Sequence, residues 1–477
     1  MIKRLFYILA IVLFASVGCD AFDINETDCD DADATTWCIQ NDDTTITDAD
    51  CGGTCSGGDT IYLEGGTRTG SDDHIIITSI DGGSSYIKIT NDPTAGTGTR
   101  VAISKNDTAA AITITDSKYV NLTGDGLSGW AWTDECEISG CYGIFIEQAA
   151  SGSAGSAMVR VNGESDHIQI GYIEIDAVNT TYTTIGLQVQ DASLTAAWTF
   201  DTFEIHHNFI HDTGVNALYL GHNQPISNDD PYTANFLVHH NILKDIGTYG
   251  MGLKGTNGGN SAIYNNWIKT TGVRCDGVTT CTEYGDGYSN GIKVLWTYGT
   301  NYVEVYDNWI EKTGGTGIRL GEASHLVHDN ILLGNGTGTD DPATWGHAIV
   351  VHENDYINNR PDRTVQIYDN IIVEPTAYGV YADGANFKAD MNRNIIAEAG
   401  TGEYSGAGFT EGTGNDANVV TDDADTICFT TWSDDSDYSN DDFTLCCDYD
   451  YTSIAANACG ATTTPVSGVK FNGAEYN

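Results

Sequence analysis

Three cations recur at one place in a repeated pattern of small, aliphatic, variable and aliphatic residues. Its copies are Gly186-Leu-Gln188-Val, Ala217-Leu-Tyr219-Leu, Gly252-Leu-Lys254-Gly, Gly291-Ile-Lys293-Val, Gly317-Ile-Arg319-Leu, Ala348-Ile-Val350-Val and Gly379-Val-Tyr381-Ala. Strand alternation puts the variable residue on the outer face. The predicted column therefore reads Gln188, Tyr219, Lys254, Lys293, Arg319, Val350, Tyr381. Basic residues number only 20 in a chain of 477, so three in succession is a concentration that chance rarely supplies. Stacked cations repel one another. Either nearby acids such as Glu283, Asp286 and Glu322 compensate them, or an anionic ligand does. Tyr219, Trp296 and Tyr298 supply an aromatic edge of the kind that packs on sugar faces.

Such a set suits β-elimination from a uronic acid polysaccharide. That reaction needs the carboxylate neutralised, the α-proton removed and the leaving oxygen protonated. Calcium together with Arg can neutralise the carboxylate. A Lys whose pKa is lowered by neighbouring cations can take the proton.

The positioning elements are legible in a second repeat. The phrase Phe203-Glu-Ile-His-His-Asn208-Phe-Ile210 returns as Phe236-Leu-Val-His-His-Asn241-Ile-Leu243, and again around Asn266, Asn308, Asn330 and Asn370, with a fainter copy at Asn394. Successive Asn residues are 33, 25, 42, 22, 40 and 24 positions apart. A shortest period in the twenties, period-2 strands and variable inserts mark a solenoid. Each coil then stacks on the last at about 4.8 Å. Every Asn sits at a bend, where its amide can bond the same amide above and below and so escape burial without a partner. Just before each Asn runs a column His206, His239, Tyr264, Tyr306, His328, Tyr368. Its histidines could suggest a metal, but parallel strands bring like residues into vertical contact, and stacked rings are the reading favoured here.

These phrases, with Gly57-Gly-Asp-Thr-Ile-Tyr-Leu63, Gly65-Gly66, Tyr86-Ile-Lys-Ile-Thr-Asn91 and Val101-Ala-Ile-Ser104, resemble the right-handed parallel β-helix proteins of the pectate-lyase-like superfold. The resemblance implies an all-β chain and a right-handed parallel β-helix solenoid over residues 57–400, and the cysteine groups described below are expected to give it disulfide-stabilised ends. The set Lys293 and Arg319 on neighbouring coils is similar to that of β-helix lyases of the alginate-lyase and chondroitinase-B type. That likeness implies Lys293 as base, Arg319 as acid, Lys254 on the substrate carboxylate, and Glu283 and Asp286 as calcium ligands. The phrases that surround the lyase Lys and Arg are replaced by Ser289-Asn-Gly-Ile-Lys293 and Gly317-Ile-Arg-Leu-Gly321. The paired Asp motifs of β-helix pectin hydrolases are missing. The fold also carries non-catalytic proteins, so an adhesin, matrix component or self-associating filament subunit stands as the alternative to an enzyme acting on an acidic polysaccharide.

Composition narrows the partners. There are 67 acidic and 20 basic residues, a formal net charge of −47. Without a basic surface to release counterions, nucleic acid is not expected as a partner. Residues 1–21 read as an export signal, with Lys3 and Arg4 before the apolar run Leu5 to Val17. Ser16-Val17-Gly18-Cys19 is a partial lipobox, which would anchor the chain through a lipid on Cys19. Ordinary cleavage near Ala21 is the plainer reading, and the mature protein is expected to be secreted. No later run is long enough to span a bilayer. Cys29, Cys38, Cys51 and Cys55 fall in a cap at residues 22–56. Cys136 with Cys141, and Cys275 with Cys281, flank loops. Cys428, Cys446, Cys447 and Cys459 fall in a Cys- and Asp-rich region at 401–477. Zinc competes with disulfides for the first and last groups, and disulfides are favoured because His is absent at ligand spacing. The run Asp434 to Asp442 reads as a solvated acidic turn or a calcium loop.

Overall fold

A computed structural model describes residues 36–39, 43–51, 53–69, 74–92, 100–105, 109–125, 142–148, 157–177, 184–190, 199–221, 232–256, 259–272, 289–295, 297, 302–321, 323–337, 346–352, 363–383, 387–406, 419–421, 429–431 and 442–445. They form three parallel sheets of twelve strands each, with the chain visiting the sheets in rotation. This is a parallel β-helix. Sheet 1 runs from Thr36–Ile39 to Phe387–Asn392 and holds the strands that precede each repeated Asn. Sheet 2 holds the strands that follow the Asn, from Gly66–Thr69 to Val419–Thr421. Sheet 3 completes each coil, from Thr45–Ile46 to Gly402–Ser405. Coil strands thus also lie outside the span 57–400. A separate antiparallel pair joins Phe429–Thr431 to Asp442–Leu445.

The inward-facing residues make aliphatic columns. Ile205, Val238, Ile263, Val305, Val327 and Ile367 pair in register down sheet 1 and are fully buried. Each such side chain contributes about 1.5–3 kcal/mol of burial. The bend is held by polar bonds. Asn208 Nδ2 donates to Asn241 Oδ1 at 3.0 Å, and the chain continues through Asn266, Asn308, Asn330, Asn370 and Asn394 at 2.9–3.0 Å. Each Oδ1 in this run also accepts the backbone N–H of the preceding Asn at 3.1 Å. Every one of these amides is 0 % exposed. The residue before each Asn is left-handed: His207, His240, Asn265, Asp307, Asp329, Asp369 and Arg393 have φ between 52° and 57°. Asn, Asp and His tolerate that conformation best among residues with a side chain, which accounts for their concentration there.

The ring column is a stack, as expected. His206 lies on His239, His239 on Tyr264, Tyr264 on Tyr306, Tyr306 on His328 and His328 on Tyr368, with centroids 4.7–5.4 Å apart. At the N-terminal end Cys51 and Cys55 form a disulfide, and Cys38 is also disulfide-bonded. Residues 1–21, Cys29, Cys136, Cys141, Cys275, Cys281, Cys428, Cys446, Cys447, Cys459 and residues 434–441 lie outside the described residues. Among the described residues no helix is long and apolar enough to cross a membrane.

Candidate functional site

The cations gather on the outer face of sheet 3. Its strands Leu218–Gly221, Met251–Lys254, Ile292–Leu295, Ile318–Leu320 and Ile349–His352 stack in that order. Ile292, Val294, Ile318 and Leu320 point into the core. Lys293 and Arg319 therefore point outward, and they are direct register partners. The full column is Gln188, Tyr219, Gly252, Lys293, Arg319, Val350, Tyr381.

Lys254 is not in that column. It pairs with Gly221 on one side and Leu295 on the other, two residues further along the strand. The segment Gly250-Met-Gly252-Leu-Lys254 contains the small–aliphatic pattern twice, offset by two. Gly250 is the residue that stacks on Gly291, bonding Asn290 O through its N–H. A two-residue offset keeps the outer face but changes the neighbours. Lys254 still reaches the site. Its pKa falls to about 8, first because it is buried and then because Arg319 is near.

Gly252 makes room for aromatic rings. A Cβ there would meet Tyr249 Cδ2 at 3.2 Å and Tyr219 Cδ2 at 3.4 Å. Lys293 Nζ donates a 2.9 Å hydrogen bond to the Tyr249 hydroxyl. An ammonium has no acceptor capacity, so the phenol oxygen is the acceptor in this bond. Lys254 Nζ lies 5.6 Å from the Tyr219 ring centroid and 5.8 Å from that of Tyr249, within cation–π range. Burial also pushes the Tyr219 hydroxyl pKa well up, which keeps it a neutral phenol. Although they point outward, Tyr219, Lys293 and Arg319 are only 3, 5 and 7 % exposed. Low exposure strengthens the field of each charge.

The site thus brings together Tyr219, Lys254, Lys293 and Arg319 and adds Tyr249. The sequence signal for Tyr249 lies one place before the small-residue column. Backbone bonds align Asn216, Tyr249, Asn290, Thr316, His347 and Tyr378 there, all polar or aromatic. Trp296, Tyr298, Glu283, Asp286 and Glu322 lie outside the described residues. Beyond Val350 the aromatic character resumes, with His347 stacked on Tyr381 at 4.6 Å.

No family model matches the chain, and no curated protein matches it. Solved structures do share its architecture. A GH136 lacto-N-biosidase from Eubacterium ramulus is 9 % identical with a TM-score of 0.50, over 82 % of this chain and 68 % of that one. An alginate lyase from Paenibacillus sp. str. FPU-7 is 16 % identical with a TM-score of 0.41, over 79 % of this chain and all of the other. A mannuronan C-5 epimerase A-module from Azotobacter vinelandii is 12 % identical with a TM-score of 0.31, over 76 and 90 % of the two chains. At these identities the likeness is one of fold.

Proposed function

We propose that the protein acts on an acidic polysaccharide at the outer face of sheet 3, cleaving it by β-elimination. The observation that carries this reading is the Lys293–Tyr249 hydrogen bond set between two further cations, Lys254 and Arg319. In this reading Arg319 and Lys254 neutralise the uronate carboxylate. Lys293, an ammonium in the resting site, must first give up a proton, and its deprotonated form then takes the proton from the carbon beside that carboxylate. The electron pair forms the carbon–carbon double bond as the glycosidic C–O bond breaks, and Tyr249 gives its proton to the leaving oxygen. The proton on Lys293 then returns to the phenolate through their hydrogen bond, and both groups are restored. Tyr249 takes the donor role that resemblance assigned to Arg319, because a guanidinium does not release its proton in the working pH range.

Calcium held by Glu283 and Asp286 belongs to the proposal as an added source of positive charge, and no step is routed through it. A saccharide occupant agrees with the name of the lacto-N-biosidase that shares the fold. Export to the cell exterior fits such a polymeric substrate.

The test is ultraviolet detection of unsaturated product from alginate, pectate, chondroitin and dermatan, with calcium and with chelator. Product from one substrate, abolished in Lys293→Ala and Tyr249→Phe, supports the assignment. A folded protein that yields no unsaturated product from any of them refutes elimination. Retained binding to one polymer would then leave a non-catalytic, adhesin-like role.

A further inference from the structure

A second group of side chains lies on a different face. On the outer side of sheet 2, Asp176 ends the strand Ile173–Asp176 and is the register partner of His211, which ends Phe209–His211. Asp212 follows at the left-handed turn, with φ 56°. We propose that Asp176, His211 and Asp212 form a binding site for one divalent transition-metal ion.

The donor geometry carries this. One ligand atom from each residue lies within 4.8 Å of the other two. His211 Nδ1 is 2.9 Å from Asp212 Oδ2 and 4.0 Å from Asp176 Oδ1. A metal about 2.1 Å from each donor would see those pairs at roughly 90° and 145°, open angles that leave positions for water. One imidazole with two carboxylates suits zinc, manganese or iron better than calcium, which prefers oxygen throughout.

The far side of the ring is arranged as a ligating histidine requires. His211 Nε2 is buried without a hydrogen-bond partner and faces Glu174 Oε1 at 3.7 Å. Glu174 is itself buried and held by Arg100 at 2.9 Å. A carboxylate behind the non-ligating nitrogen orients the ring and raises its basicity. The ring is further fixed by stacking on Phe209 at 4.3 Å. Lys244 occupies the paired position on the next coil, on the side of His211 away from Asp176. A proton on Nδ1 would hold the same carboxylates together, and the metal must displace it.

The experiment uses the whole mature protein, stripped with chelator and titrated with Co2+ and then Zn2+. One equivalent of Co2+ should give visible ligand-field absorption that Zn2+ removes. Zn2+ affinity by calorimetry should fall at least tenfold in Asp176→Asn and in His211→Ala, and about tenfold in Glu174→Gln. Circular dichroism confirms that each variant is folded, and the conservative Asp176→Asn keeps the test open if His211→Ala is not. Absence of Zn2+ binding by the parent protein overturns the proposal. So does binding of unchanged strength in folded Asp176→Asn.

Discussion

Lys293 and Tyr249 are 44 residues apart in the chain and are joined by a 2.9 Å hydrogen bond. The contact exists because Gly252 leaves its column position open and the Tyr249 ring packs beside it. Tyr249→Phe keeps the ring and removes only the hydroxyl. If the pair moves protons, kcat should drop roughly 10³-fold with thermal stability nearly unchanged. Steady-state kinetics beside a melting curve would check it, and full activity in the variant would remove Tyr249 from the mechanism.

Lys254 makes a pH prediction. Its pKa lies at about 8, lowered by burial and by Arg319. The site should therefore lose one positive charge between about pH 7 and 9, a unit either side. Affinity for an acidic polysaccharide should fall across that window. Lys254→Arg stays charged and should flatten the profile. Affinity electrophoresis at several pH values would show it, and identical profiles for both proteins would exclude Lys254 from binding.

The Asn ladder makes a stability prediction. Asn308 Nδ2 donates to Asn330 Oδ1, Ile263 O and Tyr306 O, and its Oδ1 receives two bonds from Asn266. Asn308→Ala strands several buried partners at once and should cost about 3 kcal/mol or more. The exposed Gln366→Ala should cost less than about 0.5 kcal/mol. Denaturant unfolding of the two variants compares them directly. Equal losses would show that the ladder adds nothing beyond ordinary surface contacts.

Asp307 lies one residue before that ladder, and its pKa is raised from 3.8 to about 6 by burial and by Asp329. Its folded pKa exceeds its unfolded one. The stabilising contribution is therefore complete below about pH 4 and is lost as pH rises through 6. Asp307→Asn removes the charge and keeps a residue suited to φ 52°. The variant should melt a few degrees higher than the parent at neutral pH, with the gain vanishing near pH 4. Scanning calorimetry at the two pH values decides it. A gain of equal size at both would mean that charge is not the cause.

Much of the architecture was legible because a stacked coil repeats its environment. Asn208 to Asn394 announce a buried amide column, and the rings from His206 to Tyr368 announce vertical stacking. The left-handed residues before each Asn follow the same logic, since few side chains tolerate φ near 53°. Lys293 and Arg319 were legible as neighbours because their coils carry one unambiguous copy of the pattern. Lys254 was misplaced by two residues because Gly250 and Gly252 both fit the small position.

Residue order alone specifies the fold class, the inward and outward faces of the strands, and the outward placement of the cations. Those are periodic properties, and a period of two is written directly in residue order. Tertiary structure decided the rest. The register between coils depends on inserts of unequal length, which change how far one strand slides past another without changing its face. Only that register puts Tyr249 against Lys293 and Lys254 beside Arg319. It likewise sets Asp176 opposite His211, with Glu174 behind the ring. Each of these depends on a distance between coils, which the chain acquires when the strands stack.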